Sequence, residues 1–169
     1  MTKRVPAHSP FHSHNDDWYV PSWSPDSTLP TAPVPDWVPR SSVETRAAGD
    51  FFEAVRVLLP YGEHALRRLG RDVGPVIASR YTLHMTFLLE PDSIVVGSWK
   101  VPGSRLLPRG ARVEIPPACT NSGKDLHWVV LPSRHTTEPQ DLRSALADSR
   151  RAPAPPPPVR TRQRRGRRP

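Results

Sequence analysis

The sequence predicts an α+β fold, with a small and mostly antiparallel sheet flanked by two helices. Three observations predict it: short β-branched and aromatic runs fill the middle of the chain, two segments have helical spacing, and turn residues separate the runs. The 23 prolines of the 169-residue chain crowd toward its two ends. We therefore expect a folded unit at residues 48–148, between a flexible Pro/Trp-rich arm at 1–47 and a disordered Pro/Arg-rich tail at 149–169.

The first half of this unit predicts a strand, a helix and two more strands. The run from Phe51 to Leu59 is rich in β-branched and aromatic residues, which favour a strand. Residues 61–69 have their apolar positions on one helical face, and Gly70 follows as a C-cap. The apolar runs 75–79 and 83–90 predict the next two strands.

The second half predicts three strands and a helix. A pair of strands, at 94–99 and 112–115, is expected around the turn-rich residues 102–110, and residues 126–131 predict the last strand. Thr137-Glu-Pro-Gln140 has the spacing of a capping box, which predicts that a helix follows through Leu142 and Leu146.

The net charge of +8 belongs to the C-terminal tail. The tail holds eight of the 24 basic residues and no acid, so the rest of the chain is neutral overall. Dense arginines bind DNA or RNA phosphates by releasing counterions, although the same composition also suits a solubilising extension. The candidate nucleic-acid-binding residues are Arg160, Arg162, Arg164, Arg165, Arg167 and Arg168.

The single cysteine and the lack of long apolar runs bear on the expected cellular location and partners. The single cysteine, Cys119, excludes an intramolecular disulfide and fits a reducing cytoplasm. No apolar run approaches the roughly 20 residues of a transmembrane helix, and the N-terminus lacks the apolar stretch of a signal peptide. We therefore expect a cytoplasmic protein without a membrane partner.

The N-terminal arm carries three tryptophans and a tyrosine among its prolines: Trp18, Tyr19, Trp23 and Trp37. Proline removes backbone donors, so the pattern predicts little regular structure there. Tryptophans in such a segment often lie on an apolar groove. Two interpretations remain open: the arm packs on the folded unit, or it is a motif that binds a protein partner.

Six short motifs carry a family resemblance: residues 52–57, Leu69-Gly70, Gly74-Pro-Val-Ile77, Phe87-Leu-Leu-Glu-Pro91, Val113-Glu-Ile-Pro-Pro117 and Leu126-His-Trp128. Together they resemble small actinobacterial proteins related to the N-terminal domain of bifunctional DNA primase/polymerases, in the archaeo-eukaryotic primase superfamily. The resemblance covers residues 50–148 and implies the fold of part of a primase/polymerase domain.

The resemblance also implies a catalytic site. Active members of the superfamily hold divalent metal ions with carboxylates, and a histidine contacts the phosphates of the nucleotide. Glu53 corresponds to the first acid and His84 to the histidine, so both are candidate catalytic residues. Val55 stands where a second acid is expected, and residues 104–107 offer no third acid. Without the resemblance, Glu53 also fits a solvent-facing strand residue, and His84 fits a hydrogen-bonded histidine within a sheet.

Because these acids are missing, the main hypothesis is a non-catalytic primase/polymerase-like domain with a nucleic-acid-associated or interaction role, without a cofactor or metal site. The first alternative is metal-dependent DNA primase/polymerase activity with Mg²⁺ or Mn²⁺. That activity needs a further acid beside Glu53 and His84, and the candidates are Glu90, Asp92 and Glu114. The second alternative is a protein-interaction adaptor that uses the Trp/Pro-rich arm.

Overall fold

The computed structural model describes residues 33–95, 97–121, 125–133 and 135–149. Within these ranges the chain has the predicted α+β fold, with antiparallel strands and two α-helices. The elements are β1 (Glu44–Ala47), β2 (Glu53–Leu58), α1 (Leu59–Leu69), a single 3-10 turn (Gly70–Asp72), β3 (Val76–Ser79), β4 (His84–Leu89), β5 (Ser104–Leu106), β6 (Arg112–Ile115), β7 (Leu126–Val130) and α2 (Pro139–Ser149).

The strands form two sheets. Five strands lie side by side in the order β5-β2-β4-β3-β7, and each neighbouring pair is antiparallel. Strands β1 and β6 pair antiparallel as a separate two-stranded sheet. The chain therefore leaves the larger sheet after β5, adds β6 to the smaller sheet, and returns as β7.

The larger sheet has a hydrophobic cluster on each face. On one face, Val55 and Phe87 pack with Leu142 and the buried side of α1. On the other face, Leu88 and Trp128 pack with the smaller sheet. The central strand β4 contributes Met85, Phe87 and Leu89 to the first cluster and Leu88 to the second, which explains why four of its six residues are apolar. The molecule thus has three layers: helices, large sheet and small sheet.

Helix α1 follows the predicted pattern closely. Ala65, Leu66 and Leu69 form its buried side. Pro60 lies in the first turn, where the missing N–H has no helical partner to lose. Gly70 ends the helix with a φ of 60° and donates its backbone N–H to Leu66 O, so the predicted glycine cap is confirmed.

One predicted strand is wrong, and one predicted turn segment contains a strand. Residues 94, 95 and 97–99 are not in a strand; Gly97 has a φ of 78° and Val95 is 77 % exposed. Ile94 is buried against the helical core, so these residues have an apolar sequence without strand pairing. The edge strand β5 lies instead at Ser104–Leu106, inside the segment predicted to be turns.

Residues 33–47 of the predicted arm pack on the sheets. The Trp37 ring lies 5.2 Å from that of Phe52 and 6.4 Å from that of Trp128, and Val38 is buried. Strand β1 was not predicted, because its sequence Glu-Thr-Arg-Ala has weak strand propensity and depends on pairing with β6. Trp18, Tyr19 and Trp23 lie outside the described residues.

Helix α2 begins differently from the predicted capping box. Its first residue is Pro139, so Thr137 precedes the N-cap position. The Thr137 hydroxyl accepts a hydrogen bond from the Gly74 backbone N–H at 2.7 Å, and Thr137 is only 2 % exposed. This bond ties the approach to α2 to the residues before β3. A Cβ on Gly74 would lie 2.6 Å from the Thr137 backbone nitrogen, so the two segments approach as closely as glycine allows.

We expect Thr137→Val to lower the free energy of unfolding by about 1–3 kcal/mol, because the buried Gly74 N–H loses its acceptor. Thr137→Ser keeps the hydroxyl and should retain most of the stability. Urea unfolding followed by circular dichroism measures both variants. A Thr137→Val protein as stable as the wild type would contradict the role given to this bond.

Candidate functional site

The structure separates the two candidate catalytic residues. Glu53 begins β2 and pairs with Leu89, whereas His84 pairs with Leu58 at the other end of β2. Leu58 is five residues from Glu53 along β2, which corresponds to about 17 Å. Because side chains alternate along a strand, Glu53 lies on the helix side of the sheet and His84 on the other side. The two residues do not share a site.

His84 has a local hydrogen bond. Its Nδ1 contacts the Thr82 carbonyl oxygen, which can only accept, so Nδ1 donates the proton. The bond holds the half-buried ring against the turn that joins β3 to β4. In this turn Leu83 has a φ of 55°, a left-handed conformation that is uncommon for leucine.

The further acids considered from the sequence are spread over the fold. Asp92 forms an ion pair with Arg109 at 2.9 Å, and both side chains are mostly exposed. Glu90 is exposed just after β4, and Glu114 is exposed on β6 in the smaller sheet. In the described part of the chain, no three His, Cys, Asp or Glu side chains lie close enough together to hold a metal ion.

Glu53 lines a cleft of about 730 Å³ between the loop after β4 and the edge strand β5. The polar residues around the cleft are Glu53, Asp92, Ser104, Arg105 and Arg109. Its apolar and aromatic lining comprises Ala48, Ile94, Val95, Trp99, Leu106, Leu107 and Pro108. A cleft of this size and composition matches the general character of small-ligand sites.

The Glu53 carboxyl is the group in this cleft with an altered acidity. Burial raises its pKa above the ordinary value, and the negative charge of Asp92 adds to the rise. Hydrogen bonds from the Ile94 backbone and the Ser93 side chain, together with Arg109, act in the opposite direction. Its Oε2 atom is buried and has no hydrogen-bond partner among the described residues.

A second cluster lies on the opposite side of the larger sheet. Arg56 on β2 pairs directly with Arg105 on β5, so both side chains leave the same face. Like charges directly opposite each other in a sheet are destabilising. Neither guanidinium forms an ion pair or hydrogen bond with a described residue.

The surroundings of the arginine pair are partly uncovered. The smaller sheet covers Ala54 and Leu88 on this side, whereas Leu58, farther along β2, is 45 % exposed. His84 lies beside Leu58. We call Arg56, Leu58, His84 and Arg105 the open face. Tyr81, which is 89 % exposed, lies in the turn next to it.

No sequence motif marked Arg56 and Arg105 as functional residues. One signal was present: Arg56 is a charged residue between the apolar Val55 and Val57 of a strand. The pairing with Arg105 depends on the register of β5, which was predicted as a turn. The tail arginines Arg160, Arg162, Arg164, Arg165, Arg167 and Arg168 lie outside the described residues.

The chain matches no family model, no curated protein sequence and no solved structure. The primase/polymerase resemblance therefore stays a prediction. Within the described ranges, neither α-helix has the length and apolar character needed to cross a membrane.

We expect the contribution of Glu53 to the free energy of unfolding to be lost as the pH rises from about 4.5 through the raised pKa of Glu53. The folded state binds this proton more tightly than the unfolded state, so the contribution is full at low pH and lost above the raised pKa. Urea unfolding between pH 4 and pH 8 measures the slope. Glu53→Gln should remove the part of the slope that comes from the Glu53 carboxyl.

Glu114→Gln is the matched control, because Glu114 is exposed on the smaller sheet. Burial also raises the pKa of Glu63, and that contribution remains in both variants. If the Glu53→Gln protein keeps the pH slope of the wild type, the carboxyl of Glu53 is not its source.

Proposed function

We propose that this domain is a non-catalytic, primase/polymerase-like module that binds single-stranded DNA or RNA through the open face. The observation that carries the proposal is the direct pairing of Arg56 and Arg105 without an acidic partner among the described residues. A phosphate group between the two guanidinium groups would offset their repulsion and form charge-assisted hydrogen bonds with both.

The setting of the pair favours a single strand. Proteins that bind single strands combine positive side chains for the backbone with aromatic rings on which bases stack. Arg56 and Arg105 provide the charges, and the highly exposed Tyr81 lies at the end of the same face. The tail arginines beyond the described residues would add sequence-independent affinity.

The separation of Glu53 and His84 supports binding rather than polymerisation. Nucleotidyl transfer by two metal ions needs the acids and the phosphate contacts within one small site. Here the two residues lie at opposite ends and on opposite faces of paired strands. We place this binding function in the cytoplasm, in keeping with the free and exposed Cys119.

We expect Arg56→Gln and Arg105→Gln each to weaken the binding of fluorescein-labelled oligo-dT, because each variant removes one cation that binds phosphate. The slope of log affinity against log salt concentration should become shallower by about 0.7 for each arginine replaced. Fluorescence anisotropy over a range of salt concentrations measures it. The double variant should show both decreases.

Arg71→Gln is the matched control, because Arg71 is exposed in the 3-10 turn after α1, away from the open face. The tail arginines contribute equally to the salt dependence of every variant, because none of these substitutions lies in the tail. A double variant with the wild-type slope would refute the open face as the binding site. Incorporation of dNTPs with Mg²⁺ or Mn²⁺ that is abolished by Glu53→Ala would overturn the non-catalytic assignment.

A further inference from the structure

We propose that the cleft beside Glu53 binds a guanine base, and that this cleft gives a bound strand its base preference. The inference rests on the proposed function, because a strand on the open face would have to pass around the edge strand β5 to place a base in the cleft on the other side of the sheet. Free mononucleotides test the cleft without the open face, so the two proposals can fail separately.

The carboxyl of Glu53 includes a hydrogen-bond acceptor without a donor. Glu53 lines the cleft, and its buried Oε2 has no hydrogen-bond partner among the described residues. A buried acceptor of this kind is unfavourable until a donor reaches it. The carboxylate can only accept hydrogen bonds, and each of its oxygens has two lone pairs. A ligand with N–H groups can therefore donate to the carboxylate even though Ser93 and Ile94 already donate to it.

Guanine has the donor pattern that this acceptor needs. Its N1–H and 2-amino groups lie next to each other and point in the same direction, so both can donate to one carboxylate. Adenine and cytosine each place an acceptor nitrogen beside their amino group, which would face the carboxylate oxygens unfavourably. Uracil and thymine have one N–H between two carbonyl oxygens. Guanine is therefore the base that best matches Glu53.

The size and lining of the cleft suit a planar base. Its volume of about 730 Å³ lies within the range of small-ligand sites, and Ile94 and Leu106 give it apolar sides for a planar base. Trp99 adds an aromatic ring that is held in place. The Trp99 Nε1 donates to Ser104 Oγ at 2.9 Å, and the Arg143 guanidinium lies 5.0 Å from the ring centre.

A cation that could bind the phosphate lies near the cleft. Arg109 is already paired with Asp92, whereas Arg105 lines the cleft without an acidic partner among the described residues. Arg105 pairs with Arg56, which is three residues along β2 from Glu53, or about 10 Å. One nucleotide spans such a distance between its base edge and its phosphate. Because β5 is the edge strand, Arg105 borders the cleft even though its side chain leaves the opposite face of the sheet. Arg105 therefore connects the cleft to the open face around this edge.

Titration calorimetry of the full chain with GMP, IMP and AMP tests the cleft. GMP should bind most tightly, and IMP, which lacks the 2-amino group, should bind about tenfold more weakly because it forms one hydrogen bond fewer to a charged group. AMP should be weaker than IMP. Equal affinities for GMP and AMP, or no heat with millimolar GMP, would overturn the inference, and neither result depends on a variant that folds.

Glu53→Gln should weaken GMP binding at least tenfold, because the amide replaces an anionic acceptor. Glu114→Gln on the smaller sheet is the matched control and should leave GMP binding unchanged. Unchanged GMP binding by Glu53→Gln, with its fold verified by circular dichroism, would show that Glu53 is not the base-binding group.

Oligo-dT with one central guanine, compared with the same strand carrying adenine, separates the two proposals. Salt-dependent binding without a preference for guanine would overturn the cleft inference and leave the open face as the binding site. A preference for GMP over AMP would support guanine binding in the cleft. If the Arg56→Gln and Arg105→Gln substitutions at the same time left oligonucleotide affinity unchanged, the open face would be refuted as the binding site.

Discussion

The burial of β4 on both faces is the constraint on which the rest of the structure depends. Phe87 packs toward the helices and Leu88 toward the smaller sheet, and each is 1 % exposed or less. A strand with two apolar faces needs a cover on each side. The helices supply one cover, and β1, β6 and Trp37 supply the other. This arrangement also places Glu53 and His84 on opposite sides of the β2–β4 pair.

The elements that could be predicted are those whose own residues form a pattern typical of a helix or strand. The mostly apolar sequence of β4 and the one-sided apolar pattern of α1, followed by Gly70, were both predictable, because burial selects apolar residues and the end of a helix favours glycine. Strands β1 and β5 have four and three residues, and their stability comes from partners far along the chain. Propensity cannot reveal such strands. The segment that follows β4 shows the converse: Ile94 is apolar because it is buried in the core, although it is not in a strand.

The candidate site was predictable only in part, for a related reason. The family resemblance singled out Glu53, but its surroundings come from the loop after β4 and the edge strand, which are distant in sequence. The pairing of Arg56 with Arg105 exists only in one register of β5. A shift by one residue would move Arg105 to the helix side and remove the cluster. Sequence patterns on single strands do not contain that information.

The shortness of β5 has a consequence for the behaviour of the protein in concentrated solution. An unpaired sheet edge attracts strands from other molecules, which leads to aggregation. Strand β5 has three residues, and Pro102 and Pro108 close to its ends have no backbone N–H to offer a second chain. The exposed Arg105 adds charge in the middle of this edge. The rim of the cleft is thus accessible to small molecules but poorly suited to edge-to-edge assembly.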